Sequence, residues 1–183
     1  MTDVVFSDAA TTAKPVEILI APQNVLRQVA RPVRPEDIAG IRLILPGMFA
    51  AMYAAPGIGL AAPQVGISQR FALVDLGEAE AREPMIMINP EILEESESLS
   101  TREEGCLSLP NQYAEVTRPE KIRLRWTTVD GNVMEREADG LLATCIQHEI
   151  DHLDGILFVD HLSTLRRNMI LRRLAKEQKF RRG

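Results

Sequence analysis

The segment His148-Glu149-Ile150-Asp151-His152 constrains the fold of this chain more than any other part of it. Two histidines four residues apart on a helix project from one face, about 5–6 Å apart, so both imidazoles can bind one metal ion. The glutamate beside the first histidine is then placed to transfer protons at a metal-bound water. The pattern predicts a metal-dependent hydrolase built around this helix.

Capping residues and apolar spacing predict where the helices lie. Asp139 is a plausible N-cap and Gly155 a plausible terminator for the metal-binding helix, which we expect over residues 141–153. Apolar residues recur at helical spacing over residues 35–53, which predicts an N-terminal helix with one buried face. Because Pro46-Gly47 falls inside that stretch, we expect a kink or two shorter helices there.

Residues 163–183 are predicted to form a basic C-terminal helix and tail, with Ser163 as its cap. The side chains expected to pack inward are Leu165, Met169 and Leu174. From residue 166 onward the chain carries eight Lys and Arg against Glu177 alone, although its total net charge is −5. A basic helix on an acidic body can dock on an anionic surface such as RNA. A solvated amphipathic helix ending in a basic tail is the alternative interpretation.

The strands predict the fold class. Residues 70–76 and 85–88 are buried strand candidates, and apolar and polar residues alternate around residues 122–126 as in a half-exposed strand. Asp130-Gly131 then indicates a two-residue hairpin turn into a strand near 133–137. We therefore expect an α+β fold, with mixed, largely antiparallel strands around the central metal-binding helix and with an N-terminal and a C-terminal helix.

Length and composition are those of an ordinary globular protein. With 183 residues, 45% of them hydrophobic, the chain is expected to form a single domain over residues 1–183, with residues 1–14 as a flexible tail. It has no run of 18 apolar residues, so we expect no membrane span. Because the N-terminus lacks a signal-peptide pattern and only two cysteines are present, we expect a cytoplasmic protein with reduced thiols.

The identity of a third metal ligand decides the kind of enzyme, because a catalytic metal usually keeps three protein ligands. Phe158 stands where the metzincin class of zinc peptidases supplies a third histidine, so that class is disfavoured. Cys145 shares the face of the two histidines, but a metal between them would lie about 7.5 Å further along the helix axis. A thiolate reaches only about 5 Å, so Cys145 is better interpreted as a packed core thiol. His161 is better interpreted as a surface residue. Cys106 remains as a structural thiol or the third ligand, and we favour ligation.

Three segments match the signature motifs of peptide deformylases, in the same order and at similar separations. They are GIGLAAPQ at residues 57–64, EGCLS at 104–108 and QHEIDH at 147–152. An isolated HExxH occurs by chance, whereas this ordered set is very specific. The chain resembles the family over about residues 15–175.

The resemblance implies hydrolysis of the formyl group from the N-terminal formyl-methionine of newly made polypeptides, with release of formate. It implies that Cys106, His148 and His152 bind the metal and that Glu149 is the general acid and base. Fe²⁺ is the implied working metal, one per chain, and Zn²⁺, Ni²⁺ or Co²⁺ can substitute at a site with one thiolate and two imidazoles.

Further roles follow from matching positions in the family. Gln64 and the backbone N–H of Leu107 are implied to stabilise the oxyanion. The residues implied to bind substrate are Gly59, Ile58, Leu141, Thr144 and Cys145. Apart from the family, ligating histidines usually donate their second N–H to outer groups, and Gln147, Asp151 and Glu104 could orient them in this way. A helix-surface or capping role is the alternative for Asp151. The resemblance suggests that Glu104 pairs with Arg118, and a solvated charge is the alternative there.

Formyl-methionyl peptides of nascent chains are the expected partners, with a ribosome contact through the basic C-terminal helix and with neither DNA nor a membrane. Two alternatives stay open from the sequence. One is a zinc peptidase that uses the same HExxH, although Phe158 and Arg172 stand where such peptidases supply further ligands. The other is a non-enzymatic RNA-binding module that acts through the basic helix.

Overall fold

A computed structural model describes residues 2–77 and 83–182 of the chain. Within these ranges it contains four α-helices and seven β-strands. The helices are α1 Thr2–Ala9, α2 Ile38–Ala54, α3 Gly140–Leu153 and α4 Thr164–Arg182. The strands are β1 Gly59–Ala61, β2 Phe71–Val74, β3 Met85–Glu95, β4 Leu99–Cys106, β5 Leu109–Pro119, β6 Lys121–Thr127 and β7 Val133–Asp139.

The strands form two antiparallel sheets. Five strands lie in the order β1-β2-β3-β6-β7, and β4 pairs with β5 as a separate hairpin. In β6 the side chains of Ile122, Leu124 and Trp126 are buried while their neighbours face outward, as the alternation predicted. The α+β class with largely antiparallel strands is therefore confirmed.

Helix α3 lies between the two sheets and packs against each of them through a different face. Its side chains Ala143, Ile146, Ile150 and Leu153 are buried in one apolar cluster with residues of the five-stranded sheet. The opposite face carries the two histidines toward the β4–β5 hairpin. Asp139 occupies the N-cap position in an extended conformation, although its side chain makes no capping hydrogen bond.

The helix ends as predicted. Gly155 has a φ of +74°, a left-handed conformation that favours glycine. The chain also passes close to another segment here, because a Cβ at residue 155 would lie 2.8 Å from the carbonyl oxygen of Arg27. Glycine is therefore required both by the conformation and by the close approach.

Helix α2 is one continuous helix with Pro46 inside it, so of the two alternatives predicted at Pro46-Gly47, a kink or two shorter helices, the second is not found. Proline removes one backbone hydrogen bond, but Leu45, Met48 and Phe49 around it are fully buried and hold the helix in place. The segment Pro35–Ala54 is long and apolar enough to cross a membrane by length and composition alone. A buried core helix passes the same test, and most of the buried side chains of α2 belong to one apolar cluster.

Residues 2–9, within the stretch for which the sequence predicts a flexible tail, form α1. The helix packs on α2, and Phe6, Ala10 and Ala13 join the apolar cluster beneath it. A carboxylate oxygen of Asp3 accepts a hydrogen bond from the backbone N–H of Ile86 at 3.0 Å. Apolar residues at helical spacing allow this segment to fold once α2 offers a surface.

Two further predictions differ from the structure. In α4 the predicted inward face is only partly right, because Leu165 and Met169 are exposed while Leu174 is buried together with Ile170. The helix packs through that pair against an apolar cluster that includes residues of β5. The turn at Asp130-Gly131 is not a two-residue hairpin, because five residues separate β6 from β7.

Candidate metal centre and active site

Three atoms that could bind a metal ion meet between α3 and the end of β4. The sulfur of Cys106 and one ring nitrogen each of His148 and His152 all lie within 4.8 Å of one another. The sulfur is 3.2 Å from Nε2 of His152, and the two imidazole centroids are 5.0 Å apart. The structure thus brings together the three residues that the sequence singled out. Cys145 is not among them: its thiol is buried and lies 3.5 Å from the carbonyl oxygen of Ile58.

An outer carboxylate fixes the orientation of one imidazole. Nδ1 of His148 lies 2.9 Å from Oε2 of Glu104, which leaves Nε2 to face the sulfur. Arg118 holds the same carboxylate through Nε at 2.6 Å and a terminal nitrogen at 3.0 Å. Its other terminal nitrogen donates to Asp151 at 2.8 Å. Metal-ligating histidines typically donate their second N–H in this way.

Gln147 does not take part in this network. Its amide nitrogen donates to the backbone oxygens of Pro119 and Ala143, each at 3.0 Å. It therefore ties α3 to the end of β5 and does not contact a ligand. Of the three residues that the sequence proposed to orient ligands, Glu104 contacts His148 directly, whereas Asp151 reaches it only through Arg118 and Glu104.

The surroundings of each group shift its pKa. Burial alone would raise the pKa of Glu104, but hydrogen bonds from His148 and Arg118 lower it to about 2. Burial would lower the pKa of His148, yet the acceptors Cys106 and Glu104 raise it well above the usual value. For His152 burial and the charge of His148 both lower the pKa. The two imidazoles are therefore shifted in opposite directions, the one beside Glu104 upward and the other downward.

Glu149 is the one acidic side chain of α3 that faces the cavity without an ion-pair partner among the described residues. Its Oε2 atom is buried and has no hydrogen-bond partner there. Burial raises the pKa of this carboxyl group to about 7. The side chain lies against Gly59 of β1, where a Cβ would come within 2.2 Å of Oε1. A carboxyl group that titrates near neutral pH suits proton transfer.

Gln64 is buried and held from both ends of its amide. Its Oε1 accepts from the backbone N–H of Ala61 at 2.8 Å, and its Nε2 donates to the hydroxyl of Ser108 at 3.1 Å. The same nitrogen is 3.6 Å from the sulfur of Cys106. Leu107 follows Cys106 in the two-residue turn between β4 and β5, so its backbone lies beside the same atoms. Both predicted oxyanion donors therefore lie at the cluster.

A cavity of about 410 Å³ opens beside these groups. The residues predicted to bind substrate all line it, namely Ile58, Gly59, Leu141, Thr144 and Cys145. Gln64, Leu107, His148 and Glu149 line it as well. Its walls are β1 on one side and the β4–β5 hairpin on the other, with α3 as the floor.

Sequence reasoning missed some lining residues on the hairpin. Asn111 and Tyr113 line the cavity, and Asn111 has a φ of +60°. Tyr113 pairs with Gly105 across the hairpin, and its ring lies over that glycine, where a Cβ would come within 2.6 Å. A glycine inside a strand signals such a close approach, but its partner is known only once the register is known.

The donor set fits a divalent transition metal. One thiolate and two imidazoles suit Zn²⁺, Fe²⁺, Co²⁺ or Ni²⁺, and the three donor atoms are close enough together to bind one ion. Cavity, cluster and the carboxyl group of Glu149 lie side by side, as hydrolysis of a small carbonyl group requires.

Comparisons with known proteins agree with this geometry. The family model "Polypeptide deformylase" matches residues 15–168. A peptide deformylase from Rhodopseudomonas palustris (strain BisB18) is 51% identical over 166 residues, covering 89% of this chain and 94% of that protein. The crystal structure of a peptide deformylase from Legionella pneumophila has a TM-score of 0.84 at 41% identity and covers 91% of this chain and 97% of its own. A Synechococcus elongatus peptide deformylase in complex with actinonin has a TM-score of 0.82 at 42% identity, with 88% of each chain covered.

Proposed function

Since this chain belongs to the polypeptide deformylase family and is a hydrolase that removes the N-formyl group from nascent polypeptides, we propose that it binds its metal through Cys106, His148 and His152. The observation that carries the proposal is the convergence of their donor atoms within 4.8 Å. Three protein ligands leave a fourth position for water or substrate. A zinc peptidase and a purely RNA-binding module are excluded as alternatives by the family.

When bound at such a set, a divalent ion lowers the pKa of water toward ~7 and polarises a carbonyl group. We propose Fe²⁺ as the working metal, because the family resemblance implies it and the donor set accepts it. Affinity order alone does not choose between Fe²⁺, Zn²⁺, Co²⁺ and Ni²⁺. Metal analysis of protein purified without oxygen, paired with activity of each metal form, tests this choice.

Glu149 is proposed to carry the proton in both halves of the reaction. It accepts a proton from the water that adds to the formyl carbon, and it delivers a proton to the amine nitrogen as the C–N bond breaks. Formate and a free N-terminal amine are the products. Support comes from its buried Oε2, which has no hydrogen-bond partner in residues 2–77 and 83–182, and from a pKa raised to about 7 by burial, so both protonation states are accessible.

The side-chain amide of Gln64 and the backbone N–H of Leu107 are proposed to stabilise the negative charge that develops on the formyl oxygen. The amide of Gln64 is oriented in advance by Ala61 and Ser108, so it loses no rotational freedom when substrate enters. Preorganised donors of this kind contribute about 2.7–4 kcal/mol each in well-studied enzymes.

The methionine side chain and first peptide bond of the substrate are proposed to occupy the cavity between β1 and the hairpin. Ile58, Leu141 and Cys145 offer apolar surface there, and Gly59 allows the substrate backbone to approach closely. An unbranched thioether fits an irregular apolar space well.

Formate release from formyl-methionyl-alanine tests the proposal. Glu149→Gln keeps the size of the side chain but removes its acid–base function, so we expect turnover to fall by about 10²–10⁴-fold while bound metal is retained. Cys106→Ser should instead lose the metal. Glu91→Gln, at an exposed position of β3, serves as the matched control and should leave both quantities unchanged. Deformylation that survives Glu149→Gln would show that another group carries the proton.

We also propose that α4 contacts the ribosome and that the enzyme works in the cytoplasm, where nascent chains emerge. Ile170 and Leu174 bury one face of α4, and its basic side chains Arg166, Arg172, Arg173, Lys176 and Lys179 are exposed. Basic side chains on one helix attract the phosphates of RNA, and the attraction weakens with salt.

Ribosome co-sedimentation at two salt concentrations tests this contact. Replacing Arg172, Arg173 and Lys176 with glutamate should abolish binding and leave deformylation of a free dipeptide unchanged. Unchanged co-sedimentation of the triple variant would refute a role for α4.

A further inference from the structure

Five polar side chains form a continuous line from the protein surface to a proposed metal ligand. They are His161, Asp151, Arg118, Glu104 and His148. Nε2 of His161 lies 2.7 Å from Oδ2 of Asp151, and that oxygen also accepts from Arg118 at 2.8 Å. Arg118 and Glu104 are joined by two hydrogen bonds, and Glu104 contacts His148 at 2.9 Å.

The inner part of this line is buried and the outer end is not. The side chains of Glu104 and Arg118 are 4% and 6% exposed, whereas that of Asp151 is 17% and that of His161 is 34% exposed. Buried charges are tolerated only when each is paired with good geometry. The position of Arg118 therefore depends on both carboxylates that flank it. Of the two, Asp151 is the one that contacts a residue at the protein surface, His161.

The same side chains also hold the β4–β5 hairpin against α3. His148 and Asp151 lie one turn apart on α3, Glu104 lies on β4 and Arg118 on β5. Glu104 and Cys106 are two residues apart on β4 and both reach α3, because Oε2 of Glu104 lies 2.9 Å from Nδ1 of His148 and the sulfur of Cys106 lies 3.2 Å from Nε2 of His152. Holding Glu104 against α3 thereby also sets the distance between the Cys106 sulfur and the two imidazoles.

We propose that His161 is a positioning residue for the metal centre. His161 lies in the short helical turn after α3. Its ring N–H donates to the Asp151 carboxylate and orients it, and this carboxylate holds Arg118 against Glu104. The chain of contacts reaches His148 and, through the hairpin, Cys106. The inference rests on the proposed function, because it requires His148 and Cys106 to be ligands.

Metal loss to an excess of chelator, followed on the full-length Zn²⁺-loaded protein, measures the effect directly. Loss of a group that contacts a ligand typically costs 10–100-fold in metal affinity. Because His161 is further out and partly exposed, we expect His161→Ala to release metal about 2–10-fold faster. His161→Gln keeps an N–H donor and should restore a rate close to that of the unchanged protein.

A matched control separates this role from a general loosening of α3. Arg70 pairs with Asp154 at 2.5 Å, three residues beyond Asp151, and has no contact with the line among the described residues. Arg70→Ala removes an ion pair at the same end of the helix and should leave the rate of metal loss unchanged. Equal acceleration by Arg70→Ala and His161→Ala would overturn the proposal.

Two further measurements make the result specific. The Co²⁺-loaded His161→Ala protein should show an altered visible absorption spectrum, because the ligand geometry changes, whereas Arg70→Ala should not. In an Asp151→Ala background, His161→Ala should add nothing to metal loss, since coupled residues are non-additive. Additive effects would overturn the proposal.

If the unchanged protein retains no metal at all, the proposed function fails. If it retains metal and His161→Ala releases that metal at the same rate, only this inference fails.

Discussion

The carboxylate of Glu149 occupies the space in which a side chain at Gly59 would lie. A Cβ added there would be 2.2 Å from Oε1 of Glu149 and 2.9 Å from the sulfur of Cys145. No real Cβ makes such contacts, so a side chain must move. The atoms in the way belong to side chains on α3 and not to the backbone.

Gly59→Ala should therefore reduce activity far more than stability. The methyl group displaces the Glu149 carboxylate, and a misplacement of about 1 Å at a reacting group can cost about 100-fold in rate. We expect kcat/KM for formyl-methionyl-alanine to fall by at least about that factor, with bound metal retained. Gly40→Ala is the control, because nothing lies within 4 Å of a Cβ at residue 40. A fully active Gly59→Ala enzyme would contradict the assignment of Glu149.

The amide of Gln64 offers a second prediction. Gln64→Glu keeps the acceptor for the N–H of Ala61 but removes the donor that faces Ser108 and Cys106. We expect kcat to fall by about 10²–10³-fold, as for loss of one oxyanion donor. Ser108→Ala removes only a partner that orients the amide and should cost much less. Equal losses in the two variants, measured by formate release, would point to a structural role for Gln64.

The sequence predicted the chemical centre better than its surroundings. Helical spacing and reach arguments disfavoured Cys145, because helix geometry is the same in every protein, and left Cys106 as the favoured ligand, whose sulfur lies beside the two imidazoles. Glu104 and Arg118 are 14 residues apart, and their pairing depends on the register of β4 against β5. Spacing along the chain does not determine that register.

The misassigned elements share one physical cause. In α4 several apolar stripes are possible, and the helix buries Ile170 and Leu174 because the cluster that includes β5 lies on that side. In α2 the burial of Leu45 and Met48 outweighs the breaking tendency of Pro46. In each case tertiary packing overrides a local preference, which a single sequence does not reveal.

A third prediction concerns the contact between α2 and the segment before it. A Cβ at Gly47 would lie 2.9 Å from Cγ1 of Val16 and 3.1 Å from the backbone oxygen of Lys14. Gly47→Ala should lower the free energy of unfolding by about 1–3 kcal/mol through overpacking. In the same helix, Gly40→Ala meets nothing and should raise that free energy by up to about 1 kcal/mol. Urea unfolding of both variants checks the difference, and a stabilised Gly47→Ala protein would refute it.

The fourth prediction concerns pH and the start of α2. Asp37 accepts two hydrogen bonds from Arg31 and one from the backbone N–H of Arg34, each at 2.8 Å, and these hold the pKa of its carboxyl group well below the usual range. The ionised form therefore stabilises the folded state. This contribution to stability is complete above the unfolded pKa of 3.8 and is lost as the pH falls from there toward the folded pKa.

Asp37→Asn should lower the urea midpoint at pH 7, and the difference in midpoint between the variant and the unchanged protein should narrow at pH 3. Glu36→Gln, one residue earlier and 3.9 Å from Arg34, should shift the midpoint little at either pH. A gap for Asp37→Asn that stays constant between the two pH values would mean that the charge of Asp37 does not stabilise the fold.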